Sequence, residues 1–71
     1  MDWKERVVQE YKELKERYNK LHKMLIKYEA GTLDFTPNCS LELLKEQEMY
    51  MGEYLRILEI RSEIEDIDLE V

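Results

Sequence analysis

Tyr11 is the aromatic residue whose neighbours most favour ligand binding. Lys12 follows it directly, and Lys15 lies one helical turn further along. An aromatic ring beside ammonium groups is a surface on which a nucleobase can stack. The same ring is equally suited to packing in a core, so both interpretations stay open for Tyr11. Four further tyrosines are predicted to pack in a core or an interface: Tyr18, Tyr28, Tyr50 and Tyr54.

Three other cations are candidates for contact with phosphate. Lys23 and Lys27 stand one turn apart towards the end of the first predicted helix, where positive charge is favourable. From these residues alone, solvated surface charge is the better interpretation for both. Arg61 lies next to an apolar stripe and is either an interhelical ion-pair partner or an anion ligand, with the ion pair favoured.

The sequence predicts no catalysis. The single histidine, His22, and the single cysteine, Cys39, fall on different elements and have no third partner, so no nucleophile–base pair is recognisable. No phosphate-binding glycine loop and no metal-ligand spacing occurs. We therefore expect neither a catalytic site, a metal nor a cofactor.

The elements that must position these side chains are two long helices. Seven residues of the first recur at alternating spacings of four and three: Val7, Tyr11, Leu14, Tyr18, Leu21, Leu25 and Tyr28. This heptad spacing predicts a helix over about 3–29, with Asp2 as its N-cap and Gly31 at its end. A loop is predicted over about 30–40, from which Phe35 is expected to pack back onto the hairpin.

The second helix is predicted over about 41–65, with Ser40 as its N-cap. Its apolar stripe is broad, with one row formed by Leu44, Met51, Leu55 and Leu58 and a neighbouring row formed by Tyr54, Ile57, Arg61 and Ile64. Gly52 indicates either a close crossing or bend, or tolerated drift. The acidic tail that follows this helix, residues 66–71, is predicted either to extend the helix or to fray.

Length and composition predict an all-α, antiparallel two-helix hairpin, a single domain over 1–71 that assembles into a compact homo-oligomer. A chain of 71 residues with one cysteine has no internal disulfide, so partner chains are the remaining means of stabilisation. The net charge of −6 argues against duplex nucleic acid as a partner. Residues 1–28 carry a charge of +3 and residues 29–71 a charge of −9, which favours antiparallel pairing of a basic helix with an acidic one. We expect no membrane span and no secretion leader.

The second half of the chain resembles a known group of small bacteriophage proteins. The resemblance is carried by Phe35, Leu43, Leu44, Gln47, Met51, Tyr54, Leu58 and Arg61, and by the opening Met1-Asp2-Trp3. The group is that of the phage anti-CBASS cyclic-nucleotide sponges, which share a hairpin domain with a phage Thoeris anti-defence sponge.

The resemblance implies a hexamer of hairpins that sequesters cyclic di- and trinucleotides without cleaving them. It implies that Tyr11 stacks on a base and that Lys27 meets the phosphates, with Lys23 as an alternative. It implies that Arg61 and Thr32 serve a separate trinucleotide pocket. The expected location is the cytoplasm of the infected bacterial host, where removal of the signal keeps a defence effector silent. The alternative prediction is a helical protein-binding adaptor or anti-repressor that acts on a host protein.

Overall fold

The computed structural model describes residues 2–70 and contains two α-helices that pack together as a hairpin. Helix α1 spans Trp3–Ala30 and helix α2 spans Leu41–Ile64. The predicted ranges, 3–29 and 41–65, differ from these by one residue at the C-terminal end of each helix. The hairpin measures 42 × 18 × 18 Å, and it confirms the all-α prediction, whereas its assembly into a homo-oligomer stays a prediction. Met1 and Val71, which belong to the predicted domain, lie outside the described residues.

Local signals in the sequence set the helix ends. The Asp2 carboxylate accepts a hydrogen bond from the Lys4 N–H at 3.4 Å, and the Ser40 hydroxyl accepts one from the Leu43 N–H at 3.2 Å. Each satisfies a backbone donor that the first turn of a helix leaves without a partner. Gly31 ends α1 with a φ of 76°, in the left-handed region that glycine enters without steric cost.

The core lies between the two helices, towards their open end. It consists of Val7 and Tyr11 from α1 and Leu55 and Leu58 from α2, and Leu58 is only 1% exposed. The row of α2 predicted along Leu44, Met51, Leu55 and Leu58 is therefore the one that faces α1. Closer to the loop, Leu25 is buried as well.

The face of α2 next to the row that meets α1 carries exposed apolar side chains, called the outer row here. Its members follow heptad spacing and are Leu43, Tyr50, Tyr54, Ile57 and Ile64. Tyr50 and Tyr54, together with Tyr28 of α1, do not enter the core of the hairpin. These three tyrosines were predicted to pack either in the core or in an interface. Because they are exposed in the hairpin, packing in an interface is the alternative that remains.

Gly52 lies beneath the ring of Tyr18. A Cβ built at Gly52 would be 3.4 Å from Cε2 of that ring, which is ordinary van der Waals contact. The packing against Tyr18 therefore leaves room for a methyl group at this position.

The acidic tail neither extends α2 nor hangs free over the described residues. Asp66 takes a left-handed conformation with a φ of 57°, and the chain turns back. Ile67 and Leu69 then pack against the core cluster. Residues 65–70 are called the strap below. Within residues 2–70, no helix combines the length and the apolar character that a membrane span requires.

Candidate functional site: two grooves along helix α1

Tyr11 lies at the centre of a chain of polar contacts that joins the two helices. Its hydroxyl donates to the Glu59 carboxylate at 2.6 Å and accepts from the Lys15 ammonium at 3.1 Å. The same ammonium lies 5.4 Å from the centre of the Tyr11 ring. Because Tyr11 is only 8% exposed, its ring is part of the core in this hairpin. A base could stack on it only after the groups that cover it move.

Burial raises the pKa of Tyr11, and the hydrogen bond to Glu59 raises it further. Lys15 acts in the opposite direction, since an ammonium favours the tyrosinate. The pKa of Lys15 is itself raised, chiefly by its hydrogen bond to Tyr11. The neutral phenol between an ammonium and a carboxylate is thus the favoured state of this contact.

The larger groove, called the strap groove, lies beside Tyr11 between α1, α2 and the strap. Its volume is about 930 Å³. Four lysines line it from α1: Lys12, Lys15, Lys20 and Lys23. Five carboxylates line it as well: Glu16, Glu59, Glu63, Asp68 and Glu70. The five carboxylates of the same chain therefore outnumber the four lysines of this groove.

The smaller groove, called the turn groove, lies where α1 meets the loop. Its volume is about 290 Å³. Three lysines of α1 line it together with a single carboxylate: Lys20, Lys23, Lys27 and Asp34. Met24, Leu33 and Phe35 supply its apolar part. Phe35 remains 55% exposed, so it does not pack back onto the hairpin as completely as expected.

The lysines of the turn groove differ in their partners. Lys20 pairs with Glu16 of the same helix at 3.2 Å. Lys23 and Lys27 have no carboxylate within ion-pair distance among residues 2–70. In a chain with a net charge of −6, two neighbouring ammonium groups of this kind leave a local excess of positive charge. Such a place suits the phosphates of a small anion better than a carboxylate-rich surface does.

Thr32 lies close to Lys27 because of the way α1 ends. The Thr32 N–H donates to the Lys27 carbonyl at 2.9 Å, and the Gly31 N–H donates to the Tyr28 carbonyl at 3.1 Å. These are the two hydrogen bonds of a Schellman motif. The Thr32 hydroxyl also approaches the Lys27 carbonyl at 3.4 Å. The side chain of Thr32 is exposed, so its hydroxyl can exchange this long contact for another.

Arg61 lies on the other side of α2 from the strap groove and lines neither groove. Its guanidinium is 3.8 Å from the Glu65 carboxylate, an exposed pair within one chain segment. Its charge also acts on Tyr54, whose pKa is raised chiefly by a hydrogen bond to Glu10 and is lowered slightly by Arg61. The sequence favoured an interhelical ion pair for Arg61. Among residues 2–70, its carboxylate partner is instead Glu65, one turn further along the same chain segment.

The four predicted site residues thus fall at two ends of the hairpin. Lys27 and Thr32 lie at the loop, and Tyr11 and Arg61 lie at the open end. Tyr11 and Lys27 are 16 positions apart on one straight helix, which is about 24 Å at 1.5 Å per residue. A small ligand cannot touch both in one subunit.

Two residues that belong to these sites, Glu59 and Phe35, were not predicted as site residues. Glu59 binds the Tyr11 hydroxyl, and nothing in its sequence position separates it from the other carboxylates of α2. Phe35 brings an exposed ring to the lysines of the turn groove. Its position in the loop, eight residues after Lys27, is the one sequence signal that could have indicated a role in this groove. His22 lies at the surface between the helices. Its Nδ1 is 2.9 Å from the Glu48 carboxylate, and its ring stacks on Tyr18.

The described residues contain no group of three or more His, Cys, Asp or Glu side chains that could bind one metal ion. The protein is thus a small helical hairpin with a lysine-lined, partly apolar surface along α1.

The chain belongs to the Sequestin family, whose model matches residues 1–64. That match covers both helices and the loop, and it ends where the strap begins. Neither a curated protein nor a solved structure matches this chain.

Proposed function

We propose that this chain is a phage-encoded sponge that sequesters cyclic di- and trinucleotide signals in the cytoplasm of an infected bacterium. It binds the signal and leaves it chemically intact. Membership in the Sequestin family supports a sequestering role in general. The observation that carries the nucleotide part of the proposal is the turn groove, where two lysines without ion pairs lie beside an exposed phenyl ring.

The chemistry of a cyclic dinucleotide matches that of the turn groove. The ligand carries two phosphates and two flat bases. Ammonium groups bind phosphate as point charges, as Lys23 and Lys27 would here. The exposed ring of Phe35 offers a stacking surface, and stacking on an aromatic side chain is worth about 1–3 kcal/mol per base. Thr32 adds a hydroxyl within reach of the same end of α1.

Self-association is part of the proposal. The outer row of α2 places apolar side chains at heptad spacing on a face that stays exposed in the single hairpin. We propose that further copies of this chain cover it, as a hexamer by resemblance. Since Tyr11 and Lys27 lie about 24 Å apart along α1, a ligand that uses both would take them from different subunits.

The first experiment is native mass spectrometry of the purified protein, alone and with a mixed panel of cyclic di- and trinucleotides. The expected result is an oligomer that gains a fixed, small number of ligands. Heating the complex should then release nucleotides of unchanged mass, because the protein does not cleave them. An oligomer that gains no ligand would reject the cyclic-nucleotide proposal.

Three single variants then locate the site by titration calorimetry. Lys27→Ala and Phe35→Ala should each weaken binding about tenfold or more, because a charge-assisted contact or a stacked base is lost. Lys4→Ala is the matched control, since it removes the same charge about 35 Å away along α1 and lines neither groove. Equal losses from Lys4→Ala and Lys27→Ala would indicate a general charge effect in place of a site.

The second candidate function is a helical adaptor or anti-repressor that binds a host protein. The outer row favours it, because an amphipathic face at this spacing is also how a helix enters the groove of another protein. Ile57→Glu should dissociate the oligomer if copies of the chain cover the row. If Ile57→Glu leaves the mass unchanged but abolishes a complex with a host protein, the adaptor function is correct.

A further inference from the structure

The strap places the chain's own carboxylates over a row of lysines. The lysines of the strap groove stand on one face of α1, at positions 12, 15, 20 and 23. Across the groove from them the strap carries Asp68 and Glu70. Glu70 is near enough to Lys15 for its charge to contribute to the raised pKa of that ammonium, after the larger effect of the Tyr11 hydrogen bond. The strap thus occupies the position that a bound polyanion would take beside these lysines.

Few contacts hold the strap in place. Ile67 and Leu69 pack against the core cluster, and the Ile67 N–H donates to the Ser62 carbonyl at 2.8 Å. The Glu65 N–H, where the strap leaves α2, donates to the Arg61 carbonyl at 2.9 Å. The Glu70 N–H donates to the Asp68 carboxylate at 3.0 Å, and this bond stays within the strap. Beyond Glu65, the described part of the strap is thus attached to the helices by two apolar side chains and one backbone hydrogen bond, and such an attachment can open without unfolding the helices.

The closed strap also has local costs. Asp66 adopts a left-handed backbone, which a residue other than glycine takes with some strain. The Ser62 hydroxyl is buried at 3% exposure for the residue and has no hydrogen-bond partner among residues 2–70. Lifting the strap relieves the backbone at Asp66 and opens this region to water.

We propose that the strap is a tethered anionic lid, which competes with multiply phosphorylated ligands for the lysines of the strap groove. A ligand with two or more phosphates binds there by displacing Asp68 and Glu70, and its arrival frees Ile67 and Leu69 from the core. The strap lies beyond residues 1–64, which the family model matches. The identity of the natural ligand rests on the proposed function, whereas the competition itself does not.

The test uses the full chain and sodium tripolyphosphate as a probe with several charges and no base. The variant Asp68→Asn/Glu70→Gln keeps the packing of Ile67 and Leu69 and removes both strap charges. The control Glu46→Gln/Glu53→Gln makes the same change in net charge at positions that line neither groove. By Coulomb's law in water, two charges several ångströms from the phosphates are expected to change affinity about fivefold. The strap variant should therefore bind tripolyphosphate about fivefold more tightly than the wild type, and the control less than twofold.

Hydrogen exchange reports the movement of the strap directly. The Ile67 amide is hydrogen-bonded in the closed state, so it should exchange faster when tripolyphosphate is added to the wild-type protein. Equal affinities of the two double variants, an Ile67 amide that does not respond, or the absence of tripolyphosphate binding in every protein would each overturn the lid.

The same three proteins, titrated with the cyclic nucleotide panel, separate this inference from the proposed function. Tripolyphosphate affinity that follows the strap charges, without binding of any cyclic nucleotide, supports the lid and rejects the sponge. Cyclic nucleotide binding with no effect of the strap on tripolyphosphate supports the sponge and overturns the lid.

Discussion

The substitution Tyr11→Phe separates the structural role of Tyr11 from a role in ligand binding. It removes one oxygen atom and leaves the buried ring in place. The lost contacts are the hydrogen bond to Glu59 at 2.6 Å and the one from Lys15 at 3.1 Å. These two contacts connect α1 to α2 through the hydroxyl, so their loss should lower the free energy of unfolding.

The expected decrease in the free energy of unfolding depends on how exposed the two partners of the hydroxyl are. Hydrogen bonds to charged groups contribute about 1.5–3 kcal/mol when the partner would otherwise stay buried. Glu59 and Lys15 are both exposed, so water replaces the hydroxyl for each of them. We therefore expect a loss of about 1 kcal/mol, below that range. Tyr11→Ala would in addition remove the ring from the core and cost about 3–5 kcal/mol, enough to unfold a hairpin of this size.

The effect should depend on pH with a definite sign. Burial and the Glu59 hydrogen bond raise the pKa of Tyr11 above its ordinary value of 10.0. The folded state thus holds this proton more tightly than the unfolded chain does. The contribution is complete below pH 10.0 and is lost as the pH rises through the raised pKa of Tyr11. The raised pKa of Lys15 acts in the same direction, since its contribution is complete below its ordinary value of 10.5 and is lost as the pH rises through the raised pKa.

The assay is urea unfolding of the wild type and of Tyr11→Phe, followed by circular dichroism at 222 nm. Both proteins are measured at one concentration, because association changes apparent stability. At pH 8 the wild type should be about 1 kcal/mol more stable than Tyr11→Phe. This advantage should shrink once the pH exceeds the pKa of Tyr11. An advantage that is absent at pH 8, or that grows at alkaline pH, would refute the assigned contacts.

Four further substitutions test the packing and the ends of the helices, each by the same unfolding measurement. Leu58→Ala should cost about 2–5 kcal/mol, because Leu58 is 1% exposed; a smaller loss would mean that the core is not closed around it. Gly52→Ala should stabilise the hairpin by about 1 kcal/mol, since the new methyl meets Tyr18 at ordinary contact distance; destabilisation would show that the ring cannot accept it. Gly31→Ala should destabilise by about 1 kcal/mol although the space around it is open, because its φ of 76° strains any other residue; a neutral result would contradict that backbone. Ser40→Ala should cost about 1 kcal/mol with the loss of its hydrogen bond to the Leu43 N–H, and an unchanged midpoint would argue against the cap.

The two grooves suggest how one small hairpin can treat anions differently at its two ends. A single carboxylate, Asp34, lines the turn groove, where Lys23 and Lys27 have no ion pair among residues 2–70. Lys23 also lines the strap groove, but there five carboxylates of the chain stand beside the lysines. A ligand at the loop therefore meets positive charge directly. A ligand at the open end has to compete with Asp68 and Glu70.

The candidate site could be predicted only in part. Lys27 and Thr32 were singled out in the sequence, and the end of α1 brings them together because Thr32 donates its N–H to the Lys27 carbonyl. Tyr11 was recognised as an aromatic ring beside lysines, but its burial depends on which face of α2 covers it. The turn groove also needs Phe35, whose distance from the lysines is set by the path of the loop and by no periodic signal.

The sequence by itself determined the two helices and their ends. Local rules were sufficient there, since heptad spacing, Asp2, Gly31 and Ser40 act within one turn of the chain. The tertiary structure decided which apolar row of α2 faces α1, because both rows of the broad stripe have helical spacing. It also decided the course of the strap. A short acidic segment has no periodicity to read, and its position depends on whether Ile67 and Leu69 find apolar surface on a core that exists only after the two helices have packed.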